Sequence, residues 1–134
     1  MIMSDLFINY DGDIDDIAEK ISEALEINLT KKISDGKEKY HFYFMNIEFI
    51  LYGDHELEDE QDEYGQDIKF SEYEYTLSMI KLRAGEKYKT YNEVYNQMGR
   101  FLTEKLAYDL GARTMLVENL SKVVFSAVPA VART

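Results

Sequence analysis

Apolar residues recur with a helical period in two stretches of the chain. The first stretch follows Asp13, a predicted N-cap, and its stripe consists of Ile14, Ile17, Ala18, Ile21 and Leu25. The second follows Thr90 and Glu93, which have the spacing of a capping box, and it stops before Gly111. Its stripe consists of Val94, Tyr95, Met98, Phe101, Leu102, Leu106 and Leu110. We predict two amphipathic helices that each pack one face against a sheet.

The remaining apolar runs are typical of β-strands. They are rich in Tyr, Phe and Ile, and they cover residues 6–10, 27–33, 39–44, 47–52, 73–82, 114–117 and 122–128. Asp35-Gly36 is a hairpin signal, and Met45-Asn46 indicates a tight turn or a bulge. Alternation from residue 73 onwards places Tyr73, Tyr75, Leu77 and Met79 on one strand face. The order predicts an α+β two-layer sandwich, with a mostly antiparallel sheet of about five strands and two helices on one face.

Length and residue usage narrow the class of protein. A chain of 134 residues is predicted to form a single α+β domain over 1–134, with a linker at 84–89 and a loose tail at 129–134. The chain has no Cys, which excludes disulfides, thiolate catalysis and Cys–zinc sites and agrees with a reducing compartment. It also has neither a basic, apolar leader nor 18 consecutive apolar residues. We therefore expect a cytoplasmic protein without a membrane span.

The negative charge is concentrated in one part of the sequence. Residues 54–74 contain ten Asp and Glu and one Lys, a net charge of −9, whereas the whole chain carries −11. The other residues therefore carry only −2. This balance disfavours direct binding of nucleic acid or anionic lipid and favours basic partners.

Residues that could support catalysis are scarce. The sequence contains no glycine-rich phosphate loop, no G-x-S-x-G and no H-E-x-x-H motif, so we expect neither an enzyme nor a bound cofactor. The aspartates at 11–16 lack the Gly and Glu positions of a calcium loop. His41 is expected to be a packed or surface imidazole. His55, between Asp54 and Glu56, could bind a divalent cation weakly, but a solvated loop histidine is the preferred interpretation, and we predict no metal site.

The acidic stretch has two interpretations. It could be a solubilising loop that is partly mobile. It could also be a docking surface for a basic partner, because aromatic residues lie among the acids and a strand follows directly. The second interpretation predicts that acidic and tyrosine side chains bind the partner, namely Asp54, Glu56, Glu58, Asp59, Asp62, Glu63, Tyr64, Tyr73 and Tyr75.

The same region carries a resemblance to a known class of proteins. The run from Phe49 to Glu60, FILYGDHELEDE, and the run from Ile68 to Tyr75, IKFSEYEY, resemble small immunity proteins of bacterial polymorphic-toxin and contact-dependent inhibition systems. The end from Thr114 to Val124, TMLVENLSKVV, is similar to their closing strand pair. The resemblance implies a non-enzymatic inhibitor that binds and neutralises a cognate toxin domain. The acidic charge suggests a basic nuclease as that toxin, since such an enzyme must present Lys and Arg to phosphates.

Two other functions are compatible with the sequence. A nucleic-acid mimic that inhibits a DNA-binding protein would share the acidic feature but would spread its charges along a face. A small-molecule-binding α+β domain would instead have an apolar pocket between its sheet and its helices. The oligomeric state is left open, because edge strands can pair with a second copy or with another protein.

Overall fold

The computed structural model describes residues 3–81 and 88–129. These residues form two α-helices, α1 (Ile14–Leu25) and α2 (Lys89–Leu110). The strands are β1 (Ser4–Asn9), β2 (Thr30–Ser34), β3 (Lys37–Phe44), β4 (Ile47–Gly53), β5 (Glu60–Gln61), β6 (Asp67–Ile68), β7 (Tyr75–Lys81), β8 (Arg113–Glu118) and β9 (Lys122–Ala127). The predicted linker and tail fall largely outside the described residues.

Seven of the strands form one sheet, in the order β2-β3-β4-β7-β1-β8-β9, and every neighbouring pair is antiparallel. The predicted α+β class and antiparallel sheet are confirmed. The sheet exceeds the predicted five strands because β2 and β9 both join it, one at each edge. The short strands β5 and β6 form a separate two-stranded sheet.

Two-residue turns set the register of the β2–β3–β4 meander. Asp35 and Gly36 have φ of 51° and 74°, and Met45 and Asn46 have φ of 49° and 60°. Positive φ at both central positions matches the right-handed twist of the strands that such a turn joins. The predicted hairpin at Asp35-Gly36 is confirmed, and Met45-Asn46 is a tight turn rather than a bulge.

Both helices pack against each other and against one face of the sheet, around sixteen buried residues. α1 begins as predicted, because the Asp13 carboxylate accepts a hydrogen bond from the Asp16 N–H at 2.8 Å. The predicted capping box of α2 is wrong. The helix already begins at Lys89, so Thr90 lies inside its first turn, and the side chain of the N-cap residue Tyr88 makes no capping hydrogen bond. Gly111 ends α2 in the left-handed conformation, as predicted.

A ridge of small residues brings α2 close to β8. Gly99, Thr103 and Ala107 are buried at successive turns, and a Cβ on Gly99 would lie 3.1 Å from Leu116 Cδ2. The Thr103 and Thr114 hydroxyls each donate a 2.7 Å hydrogen bond to a carbonyl on α2. The predicted apolar stripe of α2 did not include these small residues. It did include Phe101, which is 58% exposed in the structure.

Candidate functional site

Residues 54–74, called the acidic segment below, cross the face of the sheet opposite the helices. Side chains alternate along a strand, so Leu6 and Ile8 face the helices while Phe7 faces away from them. A second core of six buried residues forms on that opposite face, from Phe7, Ile68, Phe70, Tyr73, Met115 and Val117. Three of the six belong to the acidic segment, which is therefore a folded part of the protein and not a mobile loop.

Aromatic contacts hold the centre of this second core. The rings of Phe7 and Phe70 are 5.0 Å apart between centroids, and the imidazole of His55 meets Phe7 edge-on at 5.5 Å. Such tilted and edge-on pairs add to the burial of apolar area. The apolar residues interleaved with the acids thus anchor the segment to the sheet.

Both ring nitrogens of His55 form hydrogen bonds with backbone groups of the acidic segment. Its Nε2–H faces the carbonyl oxygens of Phe70 and Tyr73 at 3.1 and 2.7 Å. Its Nδ1 accepts a hydrogen bond from the Leu57 N–H at 2.9 Å. Because both nitrogens are occupied by backbone groups, the half-buried ring has a structural role. The expectation of a solvated loop histidine is wrong.

Two of the six predicted acidic site residues shape the segment internally. Asp59 accepts hydrogen bonds from the Ser71 N–H and hydroxyl, at 2.9 and 3.1 Å, and these bonds lower the pKa of its carboxyl. Asp62 accepts from the Tyr64 and Gln66 N–H groups at 2.9 and 2.8 Å, which closes the turn between β5 and β6. Both carboxylates still present charge, but their first role is to order the backbone.

The other acids point outward with little compensation. Of the ten acidic residues in the segment, nine are exposed and only Asp62 is half-buried. Within the described residues, three form ion pairs, Glu56 with Lys37, Asp67 with Lys69 and Glu72 with Arg113, each at 3.9 Å between N and O. Exposed pairs at that distance neutralise little charge. The segment therefore presents a strongly acidic, ordered surface.

The predicted tyrosines are placed in three different environments. Tyr64 is 78% exposed at the tip of the β5–β6 turn, whereas Tyr73 and Tyr75 are only 9% and 8% exposed. Tyr73 belongs to the second core and Tyr75 to the main core, because β7 begins only at Tyr75 and the alternation does not reach back to Tyr73. The placement of both on one face is wrong, and neither ring is presented as a surface anchor.

A cleft of about 570 Å³ nevertheless joins Asp54 to these two tyrosines. The strand register brings the β2–β3 turn beside the end of β4, so Lys37 and Glu38 form its opposite wall. Asp13 and Glu74 complete the acidic lining. Sequence spacing alone did not indicate Asp13 or Glu38, since both reach the cleft only through the fold. Carboxylates in such a cleft suit a cationic group.

Three further predictions concern His41, metal binding and membrane spans. His41 is packed as predicted, with its Nδ1 3.0 Å from a Glu48 carboxylate oxygen. Among residues 3–81 and 88–129, no group of three or more His, Asp or Glu is arranged to hold a metal ion. Neither helix in the described part of the chain is long and apolar enough to cross a membrane.

Comparisons with protein-family models, with curated proteins and with solved structures find no match to this chain.

Proposed function

We propose that this protein is a cytoplasmic immunity protein, a non-enzymatic inhibitor that binds and neutralises a cognate bacterial toxin domain. The observation that carries the proposal is the acidic segment, which bears a charge of −9 and is held on the sheet by its own core. A flexible solubilising loop would not need the second core or the hydrogen bonds of His55, Asp59 and Asp62.

The toxin surface that fits this segment is cationic. A nuclease must present Lys and Arg to the phosphates of its substrate, and an ordered set of carboxylates can engage the same groups. Asp54, Glu56, Glu58 and Glu63 supply outward charge, together with Asp59 and Asp62, and Tyr64 supplies one exposed ring. Complementary charge of this kind accelerates association and selects the partner.

The cleft beside Asp54 is a concave part of this surface. Its volume is about 570 Å³, and its four carboxylates, from Asp13, Glu38, Asp54 and Glu74, outnumber the lining Lys37 and the Lys31 that pairs with Glu38 at 3.2 Å. That excess of negative charge suits an arginine or lysine side chain of the toxin. Tyr73 and Tyr75 then act as walls of the cleft rather than as protruding anchors.

The test is binding to the basic toxin domain that an immunity function predicts to be encoded next to this chain. The triple variant Glu58→Lys, Glu60→Lys and Glu63→Lys reverses exposed acids that make no hydrogen bond within the described residues. At low salt we expect its association rate constant to fall by roughly tenfold or more, with a weaker dependence on salt than the native chain shows.

The matched control carries the same charge change on the helical side, with Glu19→Lys, Glu23→Lys and Glu104→Lys. All three residues are exposed on α1 or α2. Equal losses for the two variants would mean that only net charge matters, and no loss for either would remove the acidic segment as the docking surface. Absence of any complex with the native chain would reject the immunity function.

A further inference from the structure

The helical layer leaves part of its face of the sheet uncovered. An open cavity of about 660 Å³ lies between α2, the end of α1 and the segment after it, and strands β3 and β4. Protein interiors are normally packed without such volumes. The value is within the range of about 300–1,000 Å³ found for small-molecule sites.

The walls of the cavity are almost entirely hydrocarbon. Aromatic rings from the sheet, including Phe42 and Phe49, face aliphatic side chains from α1 and α2, including Leu25 and Met98. At the mouth, Phe44 and Phe101 are 51% and 58% exposed. Large apolar side chains in such a concave, contiguous arrangement are typical of a binding site.

The described polar residues of the cavity lie on a single edge. Thr90, Glu93 and Gln97 follow one another along α2 at spacings of three and four residues, so they share one side of that helix. Among the described residues, no Lys, Arg or His lines the cavity. An anionic head group would therefore meet the Glu93 carboxylate and a chain of net charge −11, with no cation among those lining residues to pair with.

We propose that this cavity binds an uncharged hydrophobic small molecule with an elongated hydrocarbon body and one hydroxyl or amide end. The body occupies the space between Phe42, Phe49 and Met98, and the polar end reaches Thr90 or Gln97. The cavity lies on the face of the sheet opposite the acidic segment. This proposal is therefore independent of the proposed toxin-binding surface and can be tested separately.

The experiment uses two fluorescent probes that share one skeleton and differ in charge. N-phenylnaphthylamine is uncharged, and anilinonaphthalene sulfonate carries one sulfonate on the same two ring systems. Titration of the full chain should give saturable binding of the uncharged probe with a dissociation constant at least about tenfold lower than that of the sulfonate. Dodecanol should displace the uncharged probe, and dodecanoate should do so less well.

Two variants locate the binding to the cavity. Val94→Phe fills the space from the α2 side and should weaken the uncharged probe by about tenfold or more, with the folded state checked by circular dichroism. Glu93→Lys places a cation at the polar edge and should narrow the difference between the two probes by about fivefold. Glu104→Lys makes the same change on the same helix, outside this cavity, and should leave the difference unchanged.

Several outcomes would overturn the proposal. Non-saturable binding of the uncharged probe, or equal affinity in Val94→Phe, would show that the cavity holds no ligand. Identical shifts in Glu93→Lys and Glu104→Lys would show that the polar edge takes no part. A concentration-dependent dimer that Val94→Phe disrupts, without probe binding, would assign the surface to a second copy of the chain.

Discussion

The two faces of the sheet are covered in different ways. On one face, two helices enclose a core of sixteen buried residues. On the other, a segment with very little regular structure covers a core of six. Buried apolar area sets most of the stability, so the helical face should control unfolding of the whole chain, whereas the acidic segment can open by itself. An acidic surface can thus be ordered without determining the fold.

The strongest test of this comparison is Leu106→Ala. Leu106 is fully buried on α2, and its truncation leaves a cavity in the main core. We expect a loss of about 3–4 kcal/mol in the free energy of unfolding, with both faces unfolding in one transition. Urea denaturation followed by circular dichroism measures it. A loss below about 1 kcal/mol would show that the main core does not dominate.

Phe70→Ala tests the smaller core. Phe70 is 1% exposed and contacts Phe7, so its removal should cost about 2–3 kcal/mol, mainly as local opening of residues 55–73. Hydrogen exchange by NMR should show faster exchange there and little change at Leu77. Tyr64→Ala, in the same segment but exposed, is the control and should change stability by less than about 0.5 kcal/mol. If Phe70→Ala accelerated hydrogen exchange equally through β7, the two cores would form one cooperative unit.

High pH should weaken the helical side. A hydrogen bond to the Asp16 carboxylate raises the pKa of Tyr10 to about 12, and desolvation with a bond to Asp15 raises the pKa of Tyr40 to about 12. Since both pKa values are raised in the folded state, their contribution is complete below pH 10 and is lost as the pH rises towards 12.

Absorbance of phenolate and thermal melting between pH 9 and 12 measure this loss. Tyr10→Phe and Tyr40→Phe should each remove one tyrosine whose pKa is raised to about 12, so Tm should fall less steeply with rising pH. Tyr108→Phe is the control, because its exposed hydroxyl makes no hydrogen bond in the described part of the chain. An equally reduced slope in the control would contradict the assignment.

Low pH should weaken the acidic segment, with the smallest effect. The Ser71 hydrogen bonds lower the pKa of the Asp59 carboxyl. The stabilisation is therefore complete above the ordinary value of 3.8 and is lost as the pH falls through the lowered value. The Ser71 amide shift in NMR spectra should follow this titration, and Asp59→Asn should abolish it. A Ser71 shift that titrates unchanged in Asp59→Asn would assign the effect elsewhere.

Only some features of the candidate site could be predicted from the sequence. The charge of residues 54–74 follows from the sequence itself, and the exposed position of Tyr64 is compatible with its predicted role as a partner-binding residue. The burial of Tyr73 could not be predicted, because period-two alternation assumes a strand that in fact begins two residues later. Likewise, no sequence pattern indicated that both nitrogens of His55 bind backbone groups, since Phe70 and Tyr73 contact it only in the folded segment.

By itself, the sequence determined the class of the fold and most of its elements. Helical periodicity, the Asp13 cap, the Asp35-Gly36 turn and Gly111 are local signals that act within a few residues. Tertiary structure alone decided on which face of the sheet each apolar side chain packs and where a cavity is left between sheet and helices. Those outcomes depend on strand order, on the close approach of α2 at Gly99 and on contacts between residues far apart in the chain, none of which local periodicity encodes.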